Sequence, residues 1–141
     1  MALIQLSYVS IAAAGLMDAD LDQIVESATR KNAKNGITGM LLYAEGRFMQ
    51  LLEGEEQAVL ETFARVSLDP RHYDVHITER GPIAARSFAN WSMGFKRMAS
   101  ADLNTISTAL PPTSTAPDGV PAMAPPRLAD AILRELARAA P

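Results

Sequence analysis

The 141-residue chain has no cysteine, which excludes disulfides, iron–sulfur clusters, thiolate zinc sites and thiol nucleophiles. Its two histidines, His72 and His76, are too few for a histidine-built metal centre, so no metal is expected. Aromatic residues make up only 6% of the chain. Neither sign of charge dominates: a net charge of −3 and a pI near 5.3 argue against nucleic acid as a partner. No apolar run approaches the ~18 residues of a membrane span, and MALIQLSYVS lacks the basic and long apolar parts of a secretion signal. Also missing are GxGxxG after a strand, the phosphate-loop pattern GxxxxGKS/T, the nucleophile motif GxSxG and the zinc motif HExxH. What is present is 48% hydrophobic and 21% charged residues, the balance of a globular protein. A soluble, cytoplasmic protein with one domain is expected, able to bury roughly two-thirds of its unfolded surface.

The few aromatics mark where that domain stops. All of them, from Tyr8 to Phe95, precede residue 96. Six of the nine prolines lie in PPTSTAPDGVPAMAPP, residues 111–126, and proline disfavours both helix and central strand. The chain therefore divides into a domain over 1–98, a Pro-rich linker with room for a short helix over 99–126, and a C-terminal amphipathic helix over 127–140. In that helix Leu128, Ile132, Leu133 and Leu136 recur at helical spacing behind Pro126.

Within 1–98 the hydrophobic period changes repeatedly. Residues 3–9 read as a strand. Asp20 with Gln23 three residues on resembles a capping box, opening a helix with Leu21, Ile24, Val25, Ala28 and Asn32 on one face. That helix ends near Asn35-Gly36. Strands over 37–44 and 47–53 flank Glu45-Gly46, a two-residue hairpin signal. A second helix near 55–67 turns Val59, Leu60, Phe63 and Val66 inward, and strands near 73–80 and 92–97 follow. The order β-α-β-β-α-β-β predicts an α+β, ferredoxin-like sandwich with both helices on one sheet face and a C-terminal helical appendage. The third strand is apolar on both faces, Phe48 and Leu52 on one and Met49 and Leu51 on the other. Its second face must be covered by the C-terminal helix, a second subunit, or other parts of the same chain.

Three polar residues fall at core positions: Tyr8 on the first strand, Asn32 on the first helix and Gln50 between Phe48 and Leu52. A buried amide left unsatisfied costs about 1–3 kcal/mol, so each needs partners. They can satisfy one another or the backbone, or they can line a pocket, and periodicity leaves both open. Glu55 and Glu56 suit a helix N-terminus rather than an acid–base pair, and Arg71-His72 suits a solvated loop or an anion contact.

At this point five ordered blocks resemble one family. They are Leu6-Ser7-Tyr8, the N-x-x-N-G-I-T-G run from Asn32 to Gly39, and F-x-Q-x-L-E-G from Phe48 to Gly54. Asp69-x-Arg71-His72 and Trp91-Ser92-Met93 complete the set. Residues 1–98 resemble a BLUF domain, the flavin-binding module that senses blue light. The resemblance implies a non-covalent flavin, FAD in the first place and FMN or riboflavin as alternatives, between the two helices. Ile24 and Phe48 would flank the ring, with Leu41 near it and Asn32 on its pyrimidine edge. Arg65, Asp69, Arg71 and His72 would stand toward the ribityl–phosphate end. Tyr8 would give the excited flavin an electron and a proton, and Gln50 would rotate or tautomerise between them. Trp91 and Met93 would pass the change on, and which of the two faces the flavin stays open.

Two positions depart from the pattern: Ala28 stands where many relatives carry a hydroxyl, and Lys31 where histidine or asparagine is common. The implied protein is not an enzyme but a sensor with an effector protein in trans, regulating a cyclic-nucleotide or cyclic-dinucleotide enzyme. A homodimer or larger homo-oligomer is expected, with no membrane or nucleic-acid partner. Two other readings compete, an acylphosphatase-type ferredoxin-like enzyme and a flavin-free metabolite-binding regulatory domain. The first calls for a glycine-rich loop after the first strand, where only Gly15 occurs, and the second has no use for both Tyr8 and Gln50.

Overall fold

The computed structural model describes residues 2–108, 129 and 131–134. Its elements are β1 (Leu3–Ala12), α1 (Asp18–Asn35), β2 (Thr38–Ala44), β3 (Arg47–Glu55), α2 (Glu56–Ser67), β4 (His72–Pro82), β5 (Gly94–Arg97) and α3 (Ser100–Thr108). They form one five-stranded sheet in the order β4-β1-β3-β2-β5. All neighbours are antiparallel except β2 and β5, which run parallel. With α1 and α2 on one face, this is the expected ferredoxin-like α+β arrangement.

Local chemistry explains the joints. Glu45 and Gly46 both have positive φ, 45° and 84°, the left-handed pair a tight hairpin needs. Gly36, at φ 70°, closes α1 in the left-handed conformation, and its N–H donates to the Asn32 carbonyl. The start of α1 differs from the sequence reading. The helix begins at Asp18 after Met17, and the Asp20 carboxylate accepts from the Met17 N–H at 2.8 Å. Asp20 therefore works from inside the first turn rather than as the cap, a role acidic side chains also fill well. Leu60, expected inward, is exposed, and Thr62 takes a buried place on α2 instead. The helix is rotated so that Val59, Thr62, Phe63 and Val66 face the sheet side.

The two sheet faces carry separate cores. On the helix side Ile4, Leu6, Leu41, Phe48 and Leu52 pack with Leu21 and Val59. On the far side Met40, Leu42, Ala44, Met49 and Leu51 lie beneath Phe88, Leu103 of α3, Ala129, Ala131 and Ile132. The second face of β3 is thus covered by the same chain, including residues from its C-terminal part. Each fully buried Leu, Ile, Met or Phe among them contributes roughly 1.5–3 kcal/mol. Helix α3 occupies the start of the stretch read as linker. Ala129 and residues 131–134 are helical, with Ile132 buried and Leu133 exposed, so the apolar stripe there is narrower than its spacing suggests. Residues 109–128, and the ends of the helix expected over 127–140, lie outside the described residues.

Candidate functional site

Strand register places the central side chains. Tyr8 on β1 stands opposite Gln50 on β3, and Gln50 stands opposite Leu41 on β2. The three form one row across adjacent strands on the helix-side face. Phe48 and Leu52 flank Gln50 along β3 on the same face. A register shift between Ser7 and Tyr8 in the β1–β4 pair sets Tyr8 against Ile77, the local re-aiming that bulges provide. Helix α1 runs over this row with residues 24, 27, 28, 31 and 32 toward it, the spacing of one helical face.

Between α1, α2 and the sheet lies a cavity of about 720 Å³ including its open mouth. Tyr8, Ile24, Ala28, Lys31, Asn32, Leu41, Phe48, Gln50, Arg65, Asp69, Arg71 and His72 all line it. So do Ser27, Leu52, Thr62 and Val66, which sequence reasoning did not single out as site residues. The signal for them was periodic: Leu52 shares the face of Gln50, Ser27 follows Ile24 by three, and Thr62 interrupts the apolar stripe of α2. Trp91 and Met93 are not in its lining. Among the described residues no cluster of His, Asp and Glu is arranged to hold a metal.

At the cavity floor the Tyr8 hydroxyl donates to Gln50 Oε1, and Gln50 Nε2 reaches Met93 Sδ at 3.5 Å. Both Tyr8 and Gln50 are almost fully buried. Burial, with the Asp69 charge adding to it, pushes the Tyr8 phenol well above its ordinary pKa of 10, because phenolate is poorly solvated there. Tyr8 also packs beside Phe63 and His72, with ring centroids 5.6 and 5.9 Å away. His72 is fixed from both sides, Nδ1 to Ser10 Oγ and Nε2 to the Val66 carbonyl, each at 2.7 Å. A carbonyl can only accept, so Nε2 carries the proton, and in the neutral ring Nδ1 accepts from the serine. Asn32, 2% exposed, donates from Nδ2 to the Ser92 carbonyl at 2.9 Å. Its Oδ1 has no protein partner among the described residues.

The mouth is cationic. The Arg71 guanidinium is held by Asp69 through contacts of 2.5–3.1 Å. This pairing lowers the Asp69 pKa and raises that of Arg71. Arg65 and Lys31, by contrast, make no ion pair among the described residues. Trp91 and Met93 lie on the bent stretch just before β5, and the bend gives them different surroundings. Met93 is buried against Gln50, while Trp91 is 45% exposed and stacks on Phe88 at 5.9 Å.

Apolar walls, a polar floor with an open amide acceptor, and unpaired cations at the rim suit a flat heteroaromatic ligand with an anionic tail. A ferredoxin-like domain with that slot defines a ligand-binding class; the comparisons with known proteins define the family. Residues 3–94 match the family model BLUF, described as sensors of blue-light using FAD. The chain belongs to the BLUF family. Subunit beta of a photoactivated adenylate cyclase from Euglena longa is 40% identical over 89 residues, 62% of this chain and 10% of that protein. The blue light- and temperature-regulated antirepressor BluF of Escherichia coli strain K12 is 38% identical over 55 residues, 39% of this chain and 14% of that protein. The chain thus spans about a tenth of the length of the cyclase relatives it matches. Among solved structures, BlrB, a BLUF protein, in its dark state shares 35% identity at a TM-score of 0.67, covering 77% of this chain and 81% of that one. The BlsA ground state shares 32% at 0.68, covering 76% and 72%. BLUF domains bind flavin and sense blue light, which sets aside the acylphosphatase-type and flavin-free readings. Among the described residues no helix is long and apolar enough to cross a membrane.

Proposed function

We propose that this chain is a blue-light photoreceptor in which Tyr8 and Gln50 form the light-responsive hydrogen-bond relay and a separate protein receives the signal. FAD is the flavin proposed, after the family description; the related BlrP1 of Klebsiella pneumoniae has been solved with FMN. Ile24, Ala28, Leu41 and Phe48 would hold the ring, Asn32 its polar edge, and Lys31 and Arg65 the phosphate end. Arg71 takes a lesser part there, because Asp69 already engages its fork. Bound flavin supplies a light-driven oxidant.

The observation that carries the reading is the buried Tyr8–Gln50 hydrogen bond at the floor of the slot. A neutral phenol aimed at an amide oxygen holds both an electron and a proton ready to leave. Turning the Gln50 amide exchanges its oxygen and nitrogen. That reverses the sense of the bond to Tyr8 and removes the Nε2 contact to Met93. The segment carrying Ser92 and Met93 is thereby tied to the slot at two points, Asn32 and Gln50. A domain over 1–98 with the C-terminal part as output surface fits this arrangement, as does self-association into a homodimer or larger assembly. The relatives named as cyclases suggest a nucleotide-cyclase-type partner for this sensor.

The test is spectroscopic. Purified protein loaded with FAD is expected to be yellow, to red-shift reversibly under blue light, and to lose the shift in Tyr8→Phe while keeping its flavin. Protein that cannot be loaded with any flavin, or a normal shift in Tyr8→Phe, would refute the proposal.

A further inference from the structure

Glu53 has no part in the slot, yet its side chain is fully buried, with 0% exposure. Alternation along β3 turns it away from Gln50 and Leu52 and onto the far face of the sheet. There its carboxylate gathers four donors from three separate stretches of chain. Oε1 accepts from the Phe88 N–H at 2.7 Å and Thr38 Oγ1 at 2.9 Å. Oε2 accepts from the Ser87 N–H at 3.0 Å and, at 3.4 Å, from Gln5 Nε2. Arg86 closes the cluster by donating to Thr38 Oγ1 at 2.9 Å and to the Glu53 carbonyl at 3.2 Å. Two consecutive amides on one buried carboxylate make a charge-assisted clamp.

The clamp lies at one end of the segment that touches the slot at the other. Phe88 is buried in the far-side core, stacks on Trp91, and accepts the Trp91 N–H at 3.0 Å. Ser92 accepts from Asn32, and Met93 contacts Gln50. Residues 87–93 therefore bridge the two faces of the sheet, held by Glu53 at the far face and by Asn32 and Gln50 at the slot.

We infer that Glu53 is a positioning residue that fixes residues 87–88 as a stationary anchor, against which rearrangement at Gln50 displaces residues 91–93 and from which they are drawn back. The inference rests on the photoreceptor reading of the slot. Because the anchor resists displacement, it favours return to the resting arrangement, and loosening it stabilises the displaced one.

The experiment uses the full chain loaded with FAD. Glu53→Gln keeps the shape but sets an amide NH2 against donors. Flavin content and the size of the red shift should match the unsubstituted protein, since neither Tyr8 nor Gln50 touches Glu53. Thermal recovery in darkness should slow by about fivefold or more, the rate equivalent of losing one such hydrogen bond. A merely structural role would lower the melting temperature and leave recovery alone. Recovery that is unchanged or faster, or a red shift lost with flavin retained, overturns the inference. Should the variant not fold, amide hydrogen exchange on the unsubstituted protein decides the matter. Ser87 and Phe88 should be equally protected in darkness and under blue light, while 91–93 change. A light-induced change at 87–88 as large as that at 91–93 overturns the anchor alone. No red shift at all in the unsubstituted protein overturns the photoreceptor reading, and the anchor with it.

Discussion

Replacing Gln50 by leucine separates the energetic part of the Tyr8–Gln50 pair from its photochemical part. The side chain is 4% exposed and receives the Tyr8 hydroxyl, itself on a residue 2% exposed. Leucine fills similar space but leaves that hydroxyl without its partner, a cost of about 1–3 kcal/mol. The added apolar surface returns roughly 1 kcal/mol. The net loss of about 0–2 kcal/mol corresponds to a fall in Tm of up to about 8 °C for a domain of this size. Tyr8→Phe strands the Gln50 oxygen in the same way and should cost a similar amount. In Tyr8→Phe/Gln50→Leu both partners are apolar, so the double variant should be more stable than the sum of the singles by about 1–2 kcal/mol. Denaturant unfolding of the four flavin-loaded proteins measures this coupling, and illumination of the same samples reads the red shift. Additive losses would refute the buried bond as the coupled unit, and a normal red shift in Gln50→Leu would refute the relay.

Three further outcomes follow from the geometry. The raised phenol pKa keeps Tyr8 protonated in the folded protein, whereas the unfolded chain releases that proton near pH 10. The stability it contributes is therefore intact below pH 10 and falls as pH rises beyond it. The red shift should keep its size up to about that pH, and ionisation of Tyr8 at or below it, read by phenolate absorbance against Tyr8→Phe, would contradict the burial argument. Ala28→Leu puts bulk into the α1 wall of the cavity and should weaken flavin binding by about tenfold or more, with the melting temperature of flavin-free protein little changed; undiminished affinity by flavin titration would place the ligand elsewhere. Leu51→Ala empties a fully buried position on the far face and should cost about 2–5 kcal/mol, measured by denaturant unfolding. The red shift should persist in it, and its loss would show that the two faces are not separable.

Much of the site was legible because it is carried by short-range patterns. Alternation along β3 put Gln50 with Phe48 and Leu52, helical spacing put Ala28 and Asn32 on one face, and Glu45-Gly46 announced its hairpin. Errors arose where a helix could rotate or slide without breaking its period. Leu60, expected inward, is exposed while Thr62 is buried, and α1 began two residues before the residue read as its cap. Glu53 carried a signal that was not used: by alternation it shares the face of Met49 and Leu51, where a carboxylate must find donors.

The sequence by itself determined the order of elements, the turns between them and which residues each strand or helix presents together, because those depend on neighbours one to four positions away. Only the tertiary structure decided which remote segments meet. It turned Met93 toward Gln50 and Trp91 outward, whereas strict strand alternation would have put residues two apart on one face. It placed Leu103 and Ile132 over the far face and closed Arg71 onto Asp69. It also brought Ser87 and Phe88 to a carboxylate 34 and 35 positions away. These choices rest on burial and on satisfying buried polar groups across the whole chain, and such contacts leave no periodic trace in the local sequence.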